Sequence, residues 1–231
     1  MKNISSAIIN RKIRFALVGC GRIAKNHFDS IEAHSDQAEL VGICDTDNRS
    51  LTAAIKKTCA KPFSSLSEMI SGSEADIVVL TTPSGLHPEQ TIQLAKAGRH
   101  VMTEKPMATC WQDGKRMVQA CEEAAVHLFV VKQNRYNTTM QILKKAIEQG
   151  RFGRIYMVNI NVFWTRPQEY YDSAAWRGTW EYDGGALMNQ ASHYVDLLEW
   201  LIGPVDKVQS MISTFRDIEV EDTAITNIKW N

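Results

Sequence analysis

Apolar runs of four to six residues recur through the first 130 positions, each followed by a turn residue and then by apolar positions three and four apart. Residues 13–18 are nearly all apolar and end at Gly19, and residues 40–44 end at Asp45. Residues 77–80, 100–103 and 128–131 repeat the pattern. Short unbroken apolar runs mark strands buried on both faces. Helical spacing between them predicts helices over 22–33, 51–59, 88–97 and 111–125, with Pro88 in a first turn and Gly98 as a stop. Strand and helix alternating at this interval require right-handed crossovers, and so a parallel sheet.

Beyond residue 134 the pattern changes. Residues 138–149 form an amphipathic helix stopped by Gly150, and residues 155–163 alternate as a strand with one covered face does. Residues 164–182 read as a loop, 186–201 as a long helix stopped by Gly203 and Pro204, and 205–214 and 224–230 as strands. The expected fold class is α/β. An N-terminal Rossmann dinucleotide-binding domain (1–134) precedes a partial α+β domain with an open mixed or antiparallel sheet (135–231). The last predicted strand reaches the final residues, so the second domain reads as truncated, with an uncovered sheet edge.

Composition narrows the function classes. Of the 231 residues, 26 are Lys or Arg and 26 are Asp or Glu, so no global field draws the chain to nucleic acid or to an anionic membrane. The five cysteines, Cys20, Cys44, Cys59, Cys110 and Cys121, are odd in number and widely spaced. They suit neither a zinc knuckle nor a disulfide framework, and they fit a reducing compartment. The first residues lack the apolar stretch of a signal peptide, and the longest aliphatic run falls far short of the ~20 residues that span a bilayer. The expectation is a cytoplasmic protein. His27, His34, His100 and His127 are scattered and fall at no metal-ligand spacing, so no metal is expected.

The clearest chemical motif is Gly19-Cys20-Gly21-Arg22-Ile23-Ala24, placed between a predicted strand and a predicted helix. Gly19 permits a tight turn, Gly21 lets the backbone approach a pyrophosphate, and Ala24 lets the helix sit close to the strand. A pyrophosphate there meets free N–H groups and the positive end of the helix dipole. Asp45 ends the second strand, where it can accept from ribose hydroxyls and repel a 2′-phosphate, favouring NAD over NADP. Arg22 weakens that preference slightly. Thr82 and Pro83 follow another strand at the crevice end. His87 either lies near the cofactor or caps the next helix.

Three further groups carry candidate chemistry. Glu104-Lys105-Pro106 follows the 100–103 strand, where Lys105 enters the crevice and Pro106 can fix its aim through a cis bond. Asn189, His193, Asp196 and Trp200 fall four, three and four apart, on one face of the predicted 186–201 helix, with Asp196 placed to orient the His193 imidazole. In residues 164–182, eight of nineteen side chains are aromatic or Arg, among them Arg166, Tyr171 and Arg177. Such a loop either grips a carboxylate or phosphate or packs its rings on its own domain.

Together the glycine turn, Glu104-Lys105-Pro106 and the Gly184–Gly185 to His193–Asp196 segment resemble the Gfo/Idh/MocA oxidoreductase family. The runs 131–137, 151–156, 161–167, 176–180 and 189–196 are similar to its WlbA/WbpB branch of sugar-nucleotide 3-dehydrogenases. The resemblance implies NAD-dependent oxidation of C3 of a UDP-N-acetylglucosaminuronic acid-type sugar in lipopolysaccharide O-antigen synthesis. It also implies 2-oxoglutarate as an acceptor that reoxidises NADH, and a homo-oligomer in the full-length form. Many family members carry Asp where this chain has Asn189, which cannot act as a base.

In this reading Lys105 and His193 are catalytic. A free imidazole has a pKa of ~6.5 and a free lysine ~10.4, so His193 is favoured as base and Lys105 as the cation that steadies alkoxide charge. Glu104 and Gln133 position the nicotinamide side, Asn189 bonds a sugar hydroxyl, and Arg166 and Arg177 take the uronate or diphosphate. The same scaffold also supports an NAD-dependent glycosidase with transient C3 oxidation, or a cofactor-binding regulator without catalysis.

Overall fold

The computed structural model describes residues 8–230, and the chain divides into two compact units between Val131 and Lys132. The first holds a six-stranded parallel sheet in the order β3-β2-β1-β4-β5-β6. Its strands are β1 (Ile13–Val18), β2 (Ala38–Cys44), β3 (Lys61–Phe63), β4 (Ile77–Leu80), β5 (His100–Thr103) and β6 (Leu128–Val130). Helices α1 (Ala24–Ala33), α2 (Asn48–Thr58), α3 (Leu66–Gly72), α4 (His87–Lys96) and α5 (Trp111–Ala124) connect them.

The unbroken apolar runs follow from burial on both faces. Ala16, Val18, Val78 and Leu80 face one core with Met69 and Leu94. Leu17, Ile43 and Val79 face the other with Ala24, Phe28 and Leu51. The sequence reading did not identify β3 and α3. Pro62 disguises β3, yet β3 is an edge strand, where a missing N–H costs the ladder nothing. Two serines start α3: Ser65 accepts from Glu68 N, while the Glu68 carboxylate reaches back to Ser64 N.

Asp76 precedes β4 and clamps the chain start to the sheet. It accepts from Arg11 at 2.6 and 2.7 Å and from Arg14 N at 2.8 Å. The Arg11 guanidinium holds its carboxyl down at about 2, against 3.8 ordinarily. A carboxylate lowered on folding adds stability above its unfolded value and loses it as pH falls through the folded one. The Tm advantage of wild type over Asp76→Asn is therefore expected to be full at pH 5 and to vanish towards pH 2. Arg11 is partly exposed, so the advantage is small.

The second unit contains a 3₁₀ turn (Gln133–Tyr136), α6 (Thr138–Glu148), α7 (Gln168–Asp172), α8 (Gly185–Met188), α9 (Ser192–Ile202), and the antiparallel pair β7 (Val205–Ser213) and β8 (Thr223–Trp230). Every residue of β7 is exposed, and apolar side chains such as Val208, Met211 and Ile225 reach the surface. Two expectations fail here. Residues 155–163 form no strand: the alternation is present, but no described residue pairs with them, and an extended segment without a ladder partner is not a strand. The predicted 186–201 helix is two helices broken at residues 189–191.

The start of α8 is capped by a residue from far along the chain. Glu221 enters beside Gly185, where a Cβ would overlap its carboxylate, and accepts from Leu187 N at 2.8 Å. Its own backbone carbonyl takes the Ala186 N–H at 2.9 Å. The chain then widens by one residue, Ala191 N bonding Ala186 O, before α9 begins.

Candidate functional site

In the first unit the strand order diverges from the β1–β4 pair, and the loops after those strands meet there. Gly19 follows β1 with φ +94°. A Cβ on it would lie 2.8 Å from Thr81 C and 2.9 Å from Thr82 N, so only glycine fits between the two loops. Gly21 differs: a Cβ there would meet nothing within 4 Å. Its missing side chain leaves open space at the start of α1, a helix without a side-chain cap at its N-terminus. Open backbone beside an uncapped helix end suits a diphosphate. Arg22 is exposed on this turn and Ile23 is half-buried before α1.

Asp45 stands directly after β2. Its Oδ2 accepts from Cys20 N at 2.6 Å and its Oδ1 from Asp47 N at 2.8 Å. Both bonds fix the carboxylate beside the glycine turn while each oxygen keeps a lone pair for a ribose hydroxyl. Burial and the Asp45 charge push the Cys20 thiol up to about 12, so it remains an inert thiol.

Thr82 and Pro83 follow β4. Thr82 Oγ1 donates to Gln90 Oε1 at 2.7 Å. His87, left open between cofactor contact and cap, is a buried brace. It is fully enclosed, with Nε2 3.0 Å from Thr82 O and Nδ1 3.0 Å from Pro106 O and 2.9 Å from Thr103 Oγ1. Burial pushes its pKa down. The ring thereby ties the loop after β4 to the loop after β5. The Lys105–Pro106 bond is cis and Lys105 is half-buried.

Glu104 is buried. Its Oε1 lies 2.9 Å from His27 Nε2, and its Oε2 accepts the Lys105 N–H at 3.2 Å. Burial drives this carboxyl up, but the His27 hydrogen bond and charge and the Lys105 N–H and charge outweigh it, and Glu104 sits below the usual carboxylate range. His27 was read as one of four scattered histidines. It pairs with a residue 77 positions away, a distance at which no sequence period operates.

In the second unit the 164–182 loop gathers two cations around one ring. Arg166 lies 4.5 Å from the Trp164 ring and 5.1 Å from Tyr170, and Arg177 lies 4.3 Å from Tyr170 and 4.5 Å from Trp176. Their Nε atoms are buried without a hydrogen-bond partner, and among the described residues neither guanidinium forms a salt bridge. Two guanidiniums without a salt bridge stacked on one ring are suited to an anion. Tyr171 is the tyrosine of this loop expected at the site. Tyr171 is 6% exposed and packs edge-on against Tyr170, 5.2 Å between centroids. The ring between the arginines is Tyr170.

Asn189 lies in the break between α8 and α9, outside the helical face assigned to it. Its Nδ2 donates to Asp183, whose other oxygen accepts from Gly178 N at 2.8 Å. His193 is 8% exposed in the first turn of α9. Asp196 is gripped from the 3₁₀ turn. Arg135 Nε and Nη2 take its two oxygens at 2.7 Å each, tying α9 to the 3₁₀ turn. That turn also carries Gln133, exposed. Asp183 and Glu221, both buried, were missed. The Gly184–Gly185 pair, at φ +84° and +82°, was the available sign of a close approach there.

Residues 13–132 match the family model for the oxidoreductase family, NAD-binding Rossmann fold, and residues 140–231 match the GFO/IDH/MocA C-terminal domain. Two solved structures are similar over nearly the whole chain. The WlbA dehydrogenase of Chromobacterium violaceum, in complex with NADH and UDP-GlcNAcA, is 65% identical with a TM-score of 0.95, covering 96% of this chain and 65% of its own. The WlbA dehydrogenase of Bordetella pertussis, in complex with the same two molecules, is 66% identical with a TM-score of 0.95, covering 97% and 67%. An uncharacterized oxidoreductase of Streptococcus pneumoniae is 30% identical over 86% of this chain and 53% of its own. The chain spans about half the length of such curated relatives. On both family models, and on the glycine turn that fits them, the chain belongs to the Gfo/Idh/MocA oxidoreductase family.

Proposed function

We propose that the chain belongs to an NAD-dependent dehydrogenase that oxidises the C3 hydroxyl of UDP-N-acetylglucosaminuronic acid, or a near relative of it, to the 3-keto sugar. The observation that carries this reading is the 65% identity, over 96% of the chain, to a WlbA dehydrogenase in complex with NADH and UDP-GlcNAcA. The half-buried arginine pair of the second unit supports it, because a UDP-uronate carries both a diphosphate and a carboxylate. In the same reading the protein acts in the cytoplasm in lipopolysaccharide O-antigen synthesis, is a homo-oligomer, and uses 2-oxoglutarate to reoxidise NADH.

Bound NAD supplies the hydride acceptor. The open backbone at Gly21 and the N-terminus of α1 hold its diphosphate, Asp45 accepts from the adenosine ribose, and Thr82 and Pro83 line the crevice. Glu104 and Gln133 serve the nicotinamide side. As the C3 hydrogen leaves with its electron pair, the hydroxyl proton passes to His193 and a carbonyl forms. The Lys105 ammonium steadies the developing alkoxide. Asn189, held by Asp183, offers its amide to a neighbouring hydroxyl. Arg166 and Arg177 hold the anionic groups of the substrate, with Tyr170 between them.

Substrate deuterated at C3 tests the position of oxidation. The expected result is deuterium in the reduced nicotinamide and a slower turnover, whereas unlabelled NADH excludes C3. Arg177→Ala is expected to raise KM for the nucleotide sugar about tenfold, the loss of one charged contact, with kcat less affected. Initial rates at varied substrate measure both.

A further inference from the structure

His27 has no part in the roles above, yet it is held as firmly as any residue of the crevice. It lies one turn after Ala24 on α1, the helix whose N-terminus faces the glycine turn. Its side chain is 14% exposed and that of Glu104 11%. The contact runs from His27 Nε2 to Glu104 Oε1 at 2.9 Å, and from Glu104 Oε2 to the Lys105 backbone N–H at 3.2 Å. The Glu104 backbone is fixed too, its N–H bonding Leu80 O at 3.0 Å. An ionised carboxylate only accepts, so the proton of the pair belongs to Nε2 of His27. Helix, carboxylate and lysine backbone are thus one hydrogen-bonded chain.

We propose that His27 is a positioning residue for the dehydrogenation: through Glu104 it locks the Lys105 backbone to α1, so that one chain sets both the seating of the cofactor diphosphate and the aim of Lys105. The catalytic part of this inference rests on the reaction proposed above. The bonded chain itself does not.

The test uses the whole chain labelled with ¹⁵N-histidine, His27 being assigned by its absence in His27→Gln. Without any ligand, His27 is expected to be held as the Nε2–H tautomer, and Glu104→Ala is expected to release it to a mixture. In turnover, His27→Ala is expected to lower kcat about tenfold, the loss of one charge-assisted hydrogen bond, with KM for the nucleotide sugar within about twofold. His27→Gln, whose amide donates from nearly the same place, is expected to recover most of the rate. An imidazole signal unchanged by Glu104→Ala overturns the proposal. So does a His27→Ala variant with wild-type kcat, or a folded His27→Gln variant as slow as His27→Ala. A wild-type protein that oxidises no nucleotide sugar but shows the Glu104-dependent tautomer upholds the locked chain and overturns only the substrate reading.

Discussion

His193→Ala is expected to lose about 10³-fold in kcat, within the 10²–10⁴ that a positioned general base contributes. KM for the nucleotide sugar should change little, because the ring acts on a proton that moves only in the transition state. His193 suits this work because α9 holds it near its start, 8% exposed, while Arg135 anchors the same helix through Asp196. Lys105→Ala removes a cation from the developing alkoxide and is expected to cost about 10²–10³ in kcat, with NADH binding retained. Fluorescence titration with NADH separates the two effects. If both variants turned over at the wild-type rate, neither residue would belong to the site.

Gly19→Val is expected to destabilise the first unit by about 3 kcal/mol: about 1–2 for a branched residue forced to a left-handed backbone and about 1–3 for overpacking. Its Cβ would press on Thr81 C and O and on Thr82 N, which are backbone atoms at the end of β4 and have nowhere to move. Gly21→Ala meets no atom, so its Tm should stay near that of wild type. Its methyl group enters the space a diphosphate approaches, and NADH affinity should fall about tenfold, a loss of ~1.4 kcal/mol. Thermal unfolding and NADH titration of the two variants should therefore separate. Gly19→Val loses both stability and binding, and Gly21→Ala loses binding alone.

The first unit was largely legible because its evidence is local. Strands β1 and β4 are apolar runs with both faces covered, and the glycine turn names its own geometry. The exceptions are instructive. The edge position of β3 excuses a proline that argues against a strand. The second unit was harder to read because its structure depends on side chains brought from far along the chain. Periodicity over residues 186–201 favours one helix, but the chain widens by one residue between α8 and α9, while Glu221 caps the start of α8. Asp196 is in helical register with His193, and the fork of Arg135, 61 positions earlier, bonds it as well, which no sequence period could announce. The alternation of residues 155–163 is that of a strand, but pairing also needs a neighbour. Within the loop, composition marks Arg166 and Arg177 as candidate cations, but it cannot say which of the adjacent Tyr170 and Tyr171 stands between them. His27 escaped notice because its partner is on another strand–loop junction.

The most direct measurement is absorbance at 340 nm after mixing the purified protein with NAD and UDP-N-acetylglucosaminuronic acid, alone and with 2-oxoglutarate. The proposed function requires a rise that depends on the sugar nucleotide, and a fall in steady-state NADH once 2-oxoglutarate is present. A protein that binds NADH yet gives no rise would contradict a dehydrogenase, and one that releases UDP without net reduction of NAD would point to transient oxidation on the same scaffold.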